Sequence, residues 1–313
     1  MDSNLPLDDA LTAVQALTGQ HIAESPTPGK AADSCLFKSM PAHLYHGDRD
    51  ALSCSLMKPL LISPGHFQAG LVACDKSSDA KDFGSLVHML LLEPHAVSQE
   101  LAVFPSVADR TQAFNKFQSD HPDKLVVDEP TFATGRRVAH KIAETPYKGR
   151  KIQKFIEESM AEATIYFTEP TTGLRMRVRI DAYHPDLTID LKTSRFASAR
   201  AFVKDAVDKD YDMQAYMYSL ARCLYEGETS PKPFMFVVAE SSAPNSVSIL
   251  QAGQAFMSNG LAKFESCAGS FKACTESGYW PDLSSIGVVE IEHWQQFSPT
   301  SGWKAALAST DPL

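Results

Sequence analysis

The sequence has no C-x-x-C pair, no apolar run of membrane-span length and no excess of positive charge, and each absence excludes a class. Its six cysteines, Cys35, Cys54, Cys74, Cys223, Cys267 and Cys274, are scattered. They lack the paired spacing of zinc ribbons or thiol oxidoreductases, so they read as reduced thiols of a cytoplasmic protein, small apolar side chains in effect. No segment approaches the ~20 apolar residues that a bilayer crossing needs. The opening MDSNLPLDDALTA has no basic stretch ahead of an apolar one, so neither a signal peptide nor membrane association is expected. With 29 Lys and Arg against 38 Asp and Glu, the net charge is −9. A general polycation is excluded, and any contact with nucleic acid must use a local basic patch. Internal repeats and low-complexity tracts are also missing, which excludes a solenoid.

What is there is an ordinary globular composition, 44% hydrophobic and 21% charged over 313 residues, long enough to bury a core without disulfides. Residues 1–40 read as an appendage: a short helix over Leu7–Leu17, then the linker ESPTPGKAADS. A helix-rich stretch follows, broken at Pro59 and at Ser63-Pro64-Gly65. DFGSLVHMLLL, Asp82 to Leu92, is an apolar helix stopped by Pro94. Phe104 to Asp128 is polar and poorly periodic. Thr131 to Ser159 reads as helical and basic, carrying Arg136, Arg137, Lys141, Lys148, Arg150, Lys151 and Lys154. Strand signals begin at ATIYFTE. A helix is expected from Ala197 to Tyr225, and PFMFVVAE reads as a central strand covered on both faces. VSILQA is a further strand candidate, and Gly253 to Ser277 reads as helical. The order implies a mixed central β-sheet flanked by helices.

The chemistry concentrates in RVRIDAYHPDLTIDLKTS, Arg177 to Ser194. Period-two alternation puts Leu174, Met176, Val178 and Ile180 on one side, and Arg175, Arg177, Arg179 and Asp181 on the other. His184-Pro185-Asp186 is turn chemistry. On the return strand Asp190 and Lys192 share a face, so Asp181, Asp190 and Lys192 can converge across a hairpin. Two close carboxylates repel, and burying them unpaired is costly. A hard divalent cation, Mg²⁺ or Mn²⁺, removes that cost with one or two carboxylates plus substrate phosphate. A lysine beside it can lower the pKa of a bound water or stabilise charge on an attacked phosphate. The pattern is that of metal-assisted phosphodiester hydrolysis. The plainer alternative is a solvated hairpin face with a surface ion pair.

Asp181 followed by Asp190-Leu191-Lys192 resembles the D…(D/E)-x-K signature of the PD-(D/E)XK nuclease superfamily, and the chain resembles in particular the RecE-type exonuclease VIII domain of phage and prophage recombination systems. The likeness spans roughly residues 41–283, leaving 284–313 as a tail. It rests on LYHGDRDALSCSLMKPLLISPGHF, on FGSLVHMLLLEP with Gly84, His88, Glu93 and Pro94, on AEATIYFTEPTTGLRMRVRIDAY, on IDLKT, on QAYMY with Gln214 and Tyr218, and on GYWP at Trp280. It is loose between Phe104 and Ser159. Ile180 stands where the family has a proline, which supplies no ligand.

The resemblance implies a PD-(D/E)XK core and a Mg²⁺- or Mn²⁺-dependent exodeoxyribonuclease. The implied action is 5′-to-3′ on linear double-stranded DNA in recombination, by a homo-oligomeric ring partnered by a single-strand annealing recombinase. It implies Asp181, Asp190 and Lys192 as catalytic residues, with His88, Asp181 and Asp190 as metal ligands. Apart from it, His88 on an apolar helix reads more often as a core histidine than as a ligand, and Gln214 and Tyr218, i,i+4 neighbours, are either plain packing or part of the catalytic site, Gln214 orienting its groups or touching the phosphate backbone and Tyr218 supporting it. Glu162 is either an acid supporting the site or an exposed glutamate. Arg177 and Arg179 either hold phosphates or neutralise the acids. The stretch with Arg136, Arg137 and Lys151 is a candidate DNA-backbone contact. Two rival readings are another nuclease on the same core, an endonuclease or a CRISPR-type exonuclease, and an inactive DNA-binding or assembly module. The scattered cysteines weigh against the CRISPR-type enzyme, which commonly holds an iron–sulfur cluster. The intact Asp181, Asp190 and Lys192 weigh against the inactive module.

Overall fold

A computed structural model describes residues 27–29, 33–38, 40–72, 78–107 and 112–286. The elements run β1 (Thr27–Pro28), β2 (Ser34–Phe37), α1 (Ala42–Gly47), α2 (Cys54–Met57), a 3₁₀ turn (Lys58–Leu61), α3 (Pro64–Val72), α4 (Asp79–Leu92), α5 (Val97–Glu100), β3 (Leu101–Phe104), α6 (Gln112–Ser119), β4 (Leu125–Asp128) and α7 (Glu129–Glu144). They continue β5 (Pro146–Tyr147), β6 (Arg150–Lys151), α8 (Ile152–Glu157), β7 (Met160–Thr168), β8 (Arg175–His184), β9 (Leu187–Ser194), α9 (Ala199–Asp208), α10 (Tyr211–Glu226), β10 (Phe234–Glu240), β11 (Val247–Gln251) and α11 (Gln254–Ser277). The proposed helix at Leu7–Leu17, Cys74 and nearly all of the C-terminal tail lie outside the described residues.

Seven strands form one sheet in the order β1-β2-β7-β8-β9-β10-β11. Only β9 and β10 run parallel; the other neighbours are antiparallel. Both faces are covered. On one, Ile165, Val178, Ile180, Phe236 and Val238 pack with Met213 and Met217 of α10 and Phe264 of α11. On the other, Ile189, Leu191 and Val237 pack with Val87 of α4, Val138 and Ile142 of α7 and Ile152 of α8. Each fully buried aliphatic side chain here contributes about 1.5–3 kcal/mol. β10 feeds both layers alternately, Phe234, Phe236 and Val238 into one and Met235, Val237 and Ala239 into the other, which explains its unbroken apolar run.

Local signals set the helix ends that frame the site. The Ser78 hydroxyl accepts the Lys81 N–H at the start of α4, where Asp79 and Asp82 suit the positive end of the helix dipole. Asp128 caps α7 in the same way, with Pro130 in the first turn. At the crossing of α10 and α11, a Cβ on Gly260 would lie 2.1 Å from the Asp212 carbonyl oxygen, so only glycine permits that approach.

Several sequence expectations change. Residues 1–40 are not all appendage: β2 is wholly buried and pairs with β7 inside the main sheet. Thr131–Ser159 is not one helix. Pro146 ends it, and Lys148 and Gly149, both at positive φ, turn the short hairpin between β5 and β6. The helix expected over Ala197–Tyr225 breaks into α9 and α10 at Asp210, which is left-handed with φ 53°. The poorly periodic stretch after Phe104 contains α6 and β4, and β4 pairs in parallel with β3. The GYWP segment closes over the SPGHF turn: Trp280 stacks on Phe67 at 5.4 Å, and Gly65 N–H donates to the Pro281 carbonyl at 2.8 Å.

Candidate active site

β8 and β9 pair through only three rungs, Ala182–Ile189, Tyr183–Thr188 and His184–Leu187. Beyond them the strands fork. β8 stays with β7 as far as Arg175, and β9 stays with β10 as far as Ser194. Asp181 and Asp190 occupy the first unpaired rung. There the Asp181 carboxylate accepts the Leu191 N–H at 2.7 Å, so a side chain takes the place of a backbone rung.

The alternation also shifts at this point. Ile180 and Ala182 pack into opposite layers, as do Ala163 and Ala161 across from them, although residues two apart in a strand ordinarily share a face. Between these pairs stand Asp181 and, opposite it, Glu162. Glu162 has φ 52°, a left-handed conformation uncommon outside glycine and costing on the order of 1–3 kcal/mol. The kink directs both carboxylates toward α4. That helix comes close to β9 because a Cβ on Gly84 would already be 3.3 Å from Thr193 Oγ1. One turn later His88 completes the group. Its Nε2 lies 2.9 Å from the Leu191 carbonyl and 3.8 Å from Asp181 Oδ2, and its Nδ1 lies 3.9 Å from Glu162 Oε1.

One ligand atom from each of His88, Glu162 and Asp181 falls within 4.8 Å of the others. Burial alone would lower the His88 pKa, but Asp181 and then Glu162 hold it up at about 9. Burial lifts Asp181 to about 7, opposed by His88 and reinforced by Asp190. Two carboxylates and an imidazole gathered around one point, with the Leu191 carbonyl beside them, are a donor set that a divalent cation fits by displacing the proton that Asp181 and Glu162 otherwise hold on His88. Arg179 pairs with Glu162 and offsets part of its charge.

The return strand supplies the second half. Asp190 is fully buried. Its Oδ2 pairs with the Lys192 ammonium, and its Oδ1 accepts Gln214 Nε2 at 2.7 Å. Burial would lower the Lys192 pKa, but Asp190 and then Asp181 outweigh it and keep the ammonium charged. The ammonium stands 4.8 Å over the ring of Tyr211.

The structure thus brings together His88, Glu162, Asp181, Asp190, Lys192 and Gln214. Asp190, expected among the metal ligands, contacts Lys192 and Gln214, and Glu162 lies with His88 and Asp181. Tyr218 lies one turn beyond Gln214 in the core, near Phe234; burial foremost, with Tyr45, Asp190 and Asp181 nearby, raises its hydroxyl pKa and keeps it neutral. Arg177 keeps its expected face, but that face is covered and not open to solvent. It is 1% exposed, its guanidinium donates to the Ala51 carbonyl, and it lies 4.9 Å from the Tyr45 ring centroid. It supports the fold and has no surface to offer a phosphate. Arg136 lies over Phe132, Arg137 donates to Thr134 Oγ1 at 3.0 Å, and Lys151 pairs with Glu144 at 2.7 Å; none of these contacts involves a site residue.

Sequence reasoning missed the Leu191 backbone, which has no side-chain signature. It also missed Tyr211, although its position three residues before Gln214 on α10 was a usable signal.

No curated protein matches the chain. A crystal structure from Eubacterium rectale, described as a "putative exonuclease", superposes with a TM-score of 0.53 at 13% identity, covering 81% of this chain and 95% of that one. The family described as "PDDEXK-like domain of unknown function (DUF3799)" matches residues 53–290. With the forked sheet and its acidic cluster, that match places the chain in the DUF3799 family of PD-(D/E)XK-like domains.

Proposed function

We propose that the protein is a metal-dependent deoxyribonuclease and, more narrowly, a RecE-type exonuclease that degrades one strand of linear duplex DNA from its 5′ end during recombination. The observation that carries this reading is the fork itself, which sets the His88–Glu162–Asp181 cluster beside the Asp190–Lys192 pair. His88, Glu162 and Asp181 would hold Mg²⁺ or Mn²⁺, with the Leu191 carbonyl alongside. Such an ion supplies Lewis acidity and a water acidic enough to attack phosphorus near neutral pH.

The chain's own groups do the rest. Lys192, held as an ammonium by Asp190 and Asp181, stabilises negative charge building on the scissile phosphate. Gln214 anchors Asp190, which fixes the direction of Lys192. His88 and then Arg179 let Glu162 stay ionised close to Asp181. A ring-shaped homo-oligomer would give processivity to a chain with net charge −9, which has little basic surface for holding duplex. A single-strand annealing recombinase would take up the strand left behind.

The test is to incubate the protein with equal amounts of linear and covalently closed circular plasmid in Mg²⁺. Loss of the linear form with the circle intact supports the exonuclease reading. Equal loss of both contradicts it and favours an endonuclease on the same core.

A further inference from the structure

Tyr211, the first residue of α10, gathers positive charge on the flank of the site. Three ammoniums surround its ring: Lys192 at 4.8 Å from the centroid, Lys58 at 5.3 Å and Lys209 at 6.0 Å. The lysines come from separate segments: Lys58 from the 3₁₀ turn, Lys192 from β9 and Lys209 from the junction of α9 and α10. The Lys58 ammonium donates to the Lys209 carbonyl, which ties the turn to that junction and keeps the group together.

Acidic neighbours neutralise it only in part. Asp190 pairs with Lys192. Asp205 stands 3.9 Å from Lys209 Nζ and also accepts the Ser194 hydroxyl at 2.8 Å. Asp210 and Asp212 are taken by Lys263, at 2.8 and 3.0 Å. Among the described residues no carboxylate lies within ion-pair distance of Lys58. Three like charges around one ring repel, and an anion bound among them removes the penalty. Because Lys192 belongs both to this group and to the catalytic pair, such an anion sits next to the phosphate under attack.

We propose that Lys58 and Lys209, arranged around Tyr211, form a second phosphate subsite that holds the DNA phosphate adjacent to the one at Lys192. The inference rests on the nuclease reading and deepens it by naming where the strand is gripped. Tyr211 is a positioning residue, which orients the ammoniums and carries no charge of its own. The phosphate is either an internal diester or the terminal monoester of the strand; the chemistry of recognition is the same.

The test uses the full chain and fluorescence anisotropy with labelled linear duplex in EDTA over a range of salt, on one substrate with a 5′-phosphate and one with a 5′-hydroxyl. Lys58→Gln and Lys209→Gln should each reduce the slope of log K against log salt by about 0.9, the value for one lost phosphate contact on duplex. Lys58→Arg should restore it, and Lys116→Gln, on the exposed face of α6, should leave it unchanged. Equal effects on both substrates identify an internal phosphate, and effects confined to the 5′-phosphorylated one identify the terminus; either supports the subsite. Lys209 is at the surface, so its variant carries the test if Lys58→Gln lowers the melting temperature. Wild-type slopes in both variants overturn the subsite while leaving the nuclease reading intact. A wild-type protein that neither binds nor cuts linear duplex overturns the nuclease reading and the subsite with it.

Discussion

Asp181 Oδ2 accepts the Leu191 N–H at 2.7 Å, so the residue whose carboxylate joins His88 and Glu162 also closes the gap where β8 leaves β9. The two roles separate by substitution. Asp181→Asn keeps an acceptor for Leu191 but loses the charge: the melting temperature should hold while cleavage falls by on the order of 10² or more. Asp181→Ala also strands the Leu191 N–H, which costs about 1–3 kcal/mol. Denaturant unfolding of both variants beside cleavage rates checks the split.

His88 is within 4 Å of both other members of its cluster. Its removal should raise the Mg²⁺ concentration for half-maximal cleavage by about tenfold or more. If His88→Ala only lowers the melting temperature, with metal dependence unchanged, the histidine is a core residue.

Lys192 has a different signature. Lys192→Gln should lose on the order of 10² in the rate of the chemical step, with DNA binding and metal dependence largely kept. Single-turnover cleavage separates that outcome from weakened binding. A near-normal rate would make the Asp190–Lys192 pair structural.

A fourth prediction concerns the hairpin turn that sets the fork. Arg222, buried on α10, donates to the carbonyls of His184, Pro185 and Leu187 at 2.6, 3.0 and 2.7 Å, and Glu226 pairs with it at 2.8 Å. Burial would raise the Glu226 pKa, but Lys232, Tyr183 and Arg222 together hold it below its ordinary 4.5. A depressed carboxylate stabilises the fold above its ordinary value, and that contribution is lost as pH falls through the lower folded-state value. Glu226→Gln should therefore lower stability near neutral pH, and the gap to wild type should close in acid. Melting curves at both pH values check it; an equal deficit at both would contradict the charge argument.

How far the sequence could be read depends on whether a signal is local. The alternation from Met176 to Ile180 and the D…D-x-K spacing gave the hairpin and the Asp181, Asp190 and Lys192 set, because strand period and turn chemistry are local properties. The apolar run at Phe234–Ala239 gave the central strand for the same reason. β2 was not legible: SCLF is four residues after a Pro/Gly-rich stretch, and its strand character comes from β7, far along the chain. Arg177 sits on the expected polar face, but Tyr45 and the Ala51 carbonyl cover that face, a tertiary effect that alternation does not encode. The left-handed Glu162, which decides that this residue joins the cluster, has no sequence signature. The break at Pro146 and Lys148-Gly149 was readable turn chemistry, outweighed by the helical pattern around it.

The proposed chemistry is hydrolysis of DNA at the forked site with a bound divalent ion. The most direct test is wild-type protein on end-labelled linear duplex, in Mg²⁺ and in excess EDTA, with Asp190→Asn alongside. Steady loss of label from duplex is expected in Mg²⁺, none in EDTA, and a loss slowed by on the order of 10² with the variant, which leaves Lys192 without its partner. Intact duplex in Mg²⁺, or equal degradation in EDTA, would contradict it.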